Sequence, residues 1–88
     1  MSVYVDPLFR YGGSKTFRWP VSCHMYADTL PELHAMADRI GMKRAWFQHD
    51  RRLPHYDLVP ARRKRAVELG AVEHSTRQMV DFMNGRKT

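Results

Sequence analysis

Residues 43–48, KRAWFQ, decide how the whole chain is assembled. The apolar run Ala45, Trp46, Phe47 suits a strand covered on both faces, with Trp46 and Phe47 in the core. Such a strand would stand between two helical segments, and strands separated by helices return parallel through crossovers. Upstream, TLPELHAMADRIG at 29–41 carries the Thr29/Glu32 spacing of a capping box, Pro31 in the first turn and Gly41 as a stop. Leu30, Leu33, Ala37 and Ile40 share one face of that helix. Downstream, PARRKRAVELG at 60–70 opens on a proline and closes on a glycine, which predicts a second helix.

Further out, SVYVD at 2–6 alternates and ends on Asp6-Pro7, a short strand stopped by proline. AVE at 71–73 is another, very short strand, and the Ser75/Gln78 capping box opens a last helix that runs to about Asn84 and stops at Gly85. VSCHMY at 21–26 alternates apolar and polar residues and allows one more strand, while RYGGSKTFRWP at 10–20 has the composition of a surface loop. The expected fold class is therefore α/β. Residues 1–88 form a small single domain with a mostly parallel three- to four-stranded sheet and about three helices, residues 75–88 being a C-terminal helix and a frayed tail, GRKT.

The 43% hydrophobic and 11% aromatic content is that of a folded chain rather than a disordered one. No run of eighteen apolar residues occurs and MSVYVDPLFR lacks the pattern of a secretory signal, so no membrane partner and a cytoplasmic location are expected. Cys23 stands alone, which excludes an intrachain disulfide and a thiolate zinc site. The formal charge of +6 is local: residues 43–65 hold Lys43, Arg44, Arg51, Arg52, Arg62, Arg63, Lys64 and Arg65 against Asp50 and Asp57, and the flanking segments balance. A concentrated positive field favours an anionic partner, or else serves as a solvated face.

In a parallel sheet, ligands gather beyond the carboxyl ends of the strands. Asp6, then Gln48, His49 and Asp50, then Glu73 and His74 are placed on such a rim, and the loop after 48 adds His55, Tyr56 and Asp57 before the basic helix. Helix N-termini attract anions, so phosphate is the natural ligand. Arg62 and Arg63 flank the apolar stripe of the second helix, where they either fork onto a phosphate or pair with Asp57 or Asp6. Tyr56, taken as a loop residue, would stack on a base or donate to phosphate. No cofactor is firmly implied, but Asp6, His24, His55 and Asp57 are ligand types that can hold a divalent ion and activate water, with His55 and Asp57 as acid–base candidates. GGSKT at 12–16 lacks the glycine before lysine of a phosphate loop and is rejected. Cys23 and His24 are chain neighbours on opposite faces, not a nucleophile and base, and Cys23 reads as a small buried hydrophobe.

The segments VYVD, W...CHMYAD, LHAMADRIGMKRAWFQHD, HYDL, the arginine pair and LGAVE resemble the short bacterial and phage proteins catalogued as domain of unknown function number four-zero-three-one. The resemblance runs to about Glu73 and implies no activity. Its pattern positions are Asp6, His24, Asp28, Gln48, His55, Tyr56, Asp57, Arg62 and Arg63, the last two standing where the family usually has lysine-arginine. These nine residues are the expected ligand-binding set. The expected function is a domain that binds a phosphate-bearing ligand, a nucleotide or nucleic acid. The alternatives are a metal-dependent phosphoesterase or nuclease, and a phage-type module that holds an acidic host protein through Arg51, Arg52, Lys64 and Arg65.

Overall fold

The structure, a computed structural model, describes residues 2–10 and 21–85. The loop expected at 11–20, the rejected GGSKT stretch and the tail from 86 onward lie outside the described residues. Within them the chain forms five strands and three helices: β1 Val3–Val5, β2 Phe9–Arg10, β3 Val21–Ala27, α1 Leu30–Arg39, β4 Tyr56–Leu58, α2 Pro60–Glu68, β5 Val72–Glu73 and α3 Thr76–Gly85.

The sheet is mixed, not mostly parallel as its sequence suggested. β3 is its hub, antiparallel to β1 on one side (Val5 opposite Met25) and to β4 on the other (Met25 opposite Tyr56). β2 pairs with the early part of β3, Phe9 opposite Ser22, and only β5 runs parallel, against β1. The reason for the difference lies in residues 43–48. Arg44–Trp46 is a single 3-10 turn, and the nearest approach to a strand there is an isolated bridge between Gln48 and His55. Trp46 is 42% exposed rather than buried in a core, and Phe47 is half-buried. Strand β4, in a stretch whose sequence suggests a loop, takes the place beside β3.

Alternation along the strands separates two faces. Val3, Val5, Cys23, Met25, Ala27, Tyr56 and Leu58 point to one side, where they meet Leu33, Met36, Ala37 and Ile40 of the α1 segment and Ala66 of α2. On the other side Tyr4 and Tyr26 are covered by α3, with Phe82 ring centroids 5.3 and 5.0 Å from theirs. The caps are those the sequence encodes: Thr29 accepts from the Glu32 amide at 3.4 Å, and Ser75 and Gln78 bond each other's backbone reciprocally. Cys23 is buried, and burial, the first of its causes, pushes its thiol up to about 12.

Gly41 ends the α1 segment at φ 79°, the left-handed region, and an added Cβ would lie 3.0 Å from the Arg62 Nη1 that donates to the Ile40 carbonyl. Gly41→Ala is expected to lower the free energy of unfolding by about 1–2 kcal/mol in urea titration, through backbone strain and displacement of that guanidinium.

Candidate metal centre

The polar residues lie on the same sheet face as Tyr4 and Tyr26, on the part that α3 does not cover. His24 on β3 and Asp57 on β4 are directly paired across the sheet, and His55 precedes Asp57 by one full strand period, so all three project to the same side. His24, His55 and Asp57 each offer one ligand atom within 4.8 Å of the others, and the two imidazoles meet edge-on with centroids 4.8 Å apart. Asp6, just past the end of β1, stands behind His24. Its Oδ1 accepts from the His24 amide at 2.6 Å and its Oδ2 from the His24 ring Nδ1 at 2.8 Å.

The hydrogen bonds fix which ring nitrogen remains. A carboxylate and a carbonyl can only accept, so His24 Nδ1 donates to Asp6 and His55 Nδ1 donates to the Leu53 carbonyl at 2.6 Å. Each histidine is thereby left with Nε2 as its lone pair. That carbonyl is itself placed by Asp50, whose Oδ1 accepts from the Arg52 and Leu53 amides at 2.8 and 3.3 Å and pins the turn before Pro54. The same two amides hold the Asp50 carboxyl below its ordinary value.

His55 Nε2 lies 3.4 Å from Asp57 Oδ1, an acceptor facing an acceptor unless something positive lies between. A proton is one such charge. Burial pulls His55 down, but the Asp57 hydrogen bond, the Leu53 carbonyl and the charges of Asp57 and Asp50 outweigh it, so its pKa stands above the ordinary value. The His55 hydrogen bond in turn lowers Asp57 against its partial burial. Asp57 is the solvent-facing member at 37% side-chain exposure, whereas Asp6 is at 7% with both carboxylate oxygens engaged.

Of the remaining expected site residues, Asp28 and Tyr56 lie away from the centre, whereas Gln48, Arg62 and Arg63 lie beside it. Asp28 sits past the far end of β3, accepting from Tyr4 Oη and the Ser2 amide at 2.9 and 2.8 Å. Tyr56 is buried against the helices, its hydroxyl 2.8 Å from His34 Nδ1. Arg63 donates Nε to the Asp6 carbonyl at 2.9 Å and pairs with Glu73 at 3.0 Å, and Arg62 donates to the Ile40 carbonyl at 2.5 Å. Neither arginine pairs with the Asp6 or Asp57 carboxylate expected as its internal partner. Arg51, Arg52, Lys64 and Arg65 are exposed, Arg65 lying 3.6 Å from Glu68.

Beside the centre, a pocket of about 390 Å³ runs along the outer edge of β4 between the Arg44–Trp46 turn and α2. Gln48, Asp57 and Arg62 are its polar lining, so Asp57 belongs to both the pocket and the histidine cluster. Sequence reading placed Gln48 among the site residues but missed Trp46, which it assigned to the core.

His34, beside Tyr56, is held below the ordinary imidazole value of 6.5 by burial first and the Arg44 charge second, His49 adding to these and Asp38 opposing them. A depressed histidine stabilises the fold above its unfolded pKa, and that stability is lost as pH falls through 6.5 toward the lower folded value. His34→Gln is therefore expected to flatten the fall in urea midpoint between neutral and mildly acid pH. His55, with its raised value, acts in the opposite sense in both proteins and cancels in the comparison.

The geometry is that of a small mixed α/β domain with a partly exposed two-histidine, one-carboxylate cluster on the sheet face that α3 covers in part. Residues 3–86 match the family described as Protein of unknown function (DUF4031), and the chain belongs to that family. No curated protein and no solved structure matches it. Among the described residues, no helix is long and apolar enough to cross a membrane.

Proposed function

We propose that the chain is a metal-dependent hydrolase of phosphate esters, with His24, His55 and Asp57 as ligands of a transition-metal dication such as zinc or manganese. One observation carries the reading: each histidine has its Nδ1 proton committed to an acceptor, Asp6 for His24 and Leu53 for His55. Metal-binding imidazoles are oriented in this way, by a carboxylate or carbonyl on the nitrogen opposite the metal. Two imidazoles and one carboxylate suit zinc, iron or manganese better than magnesium, and three protein ligands leave a position for water or substrate.

When bound, the ion would supply a water of lowered pKa and a Lewis acid for a phosphoryl oxygen. The chain's own residues perform the rest. Asp6 and Leu53 hold the two rings, and the cations of residues 43–65 draw an anionic substrate toward the partly exposed cluster. Arg62 and Arg63, spent on the Ile40 and Asp6 carbonyls, act as braces of the fold. The phosphate-bearing ligand expected from the sequence is thus the substrate, gripped through the ion. Calorimetry of the full chain with zinc and manganese tests this, together with release of phosphate or alcohol from simple phosphate esters that a chelator abolishes. Absence of binding by either ion would end the proposal.

A further inference from the structure

We infer that the pocket along β4 is a nucleobase subsite, so that the substrate is a nucleotide whose base lies against Trp46 while its phosphate reaches the His24–His55–Asp57 centre. This deepens the hydrolase reading and rests on it for the placement of the phosphate, but not for the base.

The pocket has two properties that select a flat, hydrogen-bonding ring. Its apolar part is Met42, Ala45 and Val59 beside the indole of Trp46. A large aromatic at 42% exposure beside apolar walls is a surface that gains by being covered, and a base offers a π-face of matching shape. The polar part is small and placed for an edge. The Gln48 backbone is locked by its bridge to His55, with bonds of 2.8 and 3.3 Å, so its side chain extends from a fixed point with both a donor and an acceptor. Asp57 adds a carboxylate acceptor on the side that leads to the metal ligands.

The charge of the surroundings selects an anion attached to that ring. Lys43 Nζ and Arg62 Cζ lie over the Trp46 ring, 5.6 and 5.8 Å from its centroid, so two cations stand at the aromatic wall. A neutral aromatic alone would leave that field unused, and a sugar phosphate alone would leave the indole and apolar walls uncovered. A volume of about 390 Å³ falls in the range of small-ligand sites and fits one nucleotide unit rather than a duplex. The unit can come from a free mononucleotide or from the end of a single strand, which share this chemistry.

The test separates base from phosphate. Equilibrium dialysis of the unmodified, metal-free chain against adenosine and uridine reads the pocket alone, and fluorescence of a Trp19→Phe variant, in which Trp46 is the remaining indole, reports on the same binding. Saturable nucleoside binding that quenches Trp46 is expected, with Trp46→Ala weakening it at least about tenfold, as loss of one base–aromatic stack implies. With zinc present, nucleoside monophosphates should bind more tightly than both nucleosides and ribose 5-phosphate. If zinc binds but monophosphates bind no better than ribose 5-phosphate, the base pocket is overturned and the metal centre stands. If nucleosides bind but zinc does not, the hydrolase reading falls and the base pocket stands. A short single strand that binds more tightly than the mononucleotide, with affinity dropping steeply as salt rises, identifies the strand end as the source. Salt-insensitive preference for the mononucleotide identifies the free nucleotide.

Discussion

His55→Ala and His24→Ala are each expected to weaken zinc or manganese binding by more than about a hundredfold, since even the outer partners of a ligand histidine are worth about 10–100-fold. Each substitution would remove one of the three proposed ligands, and the two left behind would not hold an ion against hydration. The measurement is calorimetric titration of the metal into the folded variant, with circular dichroism run beside it. Both imidazoles are partly exposed to solvent and neither belongs to the packed interior, so the variants should remain folded. Hydrolysis of phosphate esters should disappear in step with metal binding. A variant that keeps full affinity would show that its histidine is no ligand.

Asp6→Asn has the second largest expected effect, and it acts twice. The wild-type carboxylate accepts from the His24 amide and from His24 Nδ1 with its two oxygens. An asparagine keeps the shape but presents its NH2 to one of these donors, so one buried donor goes unpaired at a cost of about 1–3 kcal/mol in folding stability. The ring of His24 is also freed to turn or to move its proton to Nε2, which should reduce metal affinity by about 10–100-fold. Asp6 touches no ion in this arrangement and is a positioning residue. The readout that separates positioning from mere loss of stability is the nitrogen-15 spectrum of His24, where the Nδ1–H tautomer should give way to a mixture. An unchanged tautomer with unchanged metal affinity would reduce Asp6 to a structural role.

Much of this site could be read from the sequence because its residues lie at strand positions with a visible period. Asp6 follows Tyr4 on one face of VYVD, and the caps at Thr29 and Ser75 and the stops at Gly41 and Gly70 all follow from local chemistry. The sheet's direction could not be read that way. KRAWFQ has the apolar content of a strand, but Ala45 and Trp46 are exposed in a 3-10 turn whose indole has Lys43 and Arg62 over its ring, a tertiary arrangement that no local pattern announces. The missed strand did leave a signal. HYDL alternates polar and apolar residues, which places His55 and Asp57 on one face and Tyr56 and Leu58 on the other, yet Pro54 and Pro60 bracket it so tightly that it reads as a loop. Tyr56 then goes to the interior, and its hydroxyl is satisfied by His34 rather than by a ligand.

The three proposed ligands come from β3 and the β4 segment, about thirty residues apart in the chain, and meet when those strands pair, while Asp6 reaches His24 from the end of β1 through the second pairing. A fragment with β3 or β4 alone lacks the cluster, and a β3–β4 pair without β1 holds the three groups but not Asp6 behind His24. An ion held there would favour the molecule in which β3 and β4 are paired over any state in which they are apart, and by mass action would draw the equilibrium toward that pairing. In a chain of 88 residues, too small for a deep interior to carry all the stability, the cation would serve as a keystone as well as a reagent.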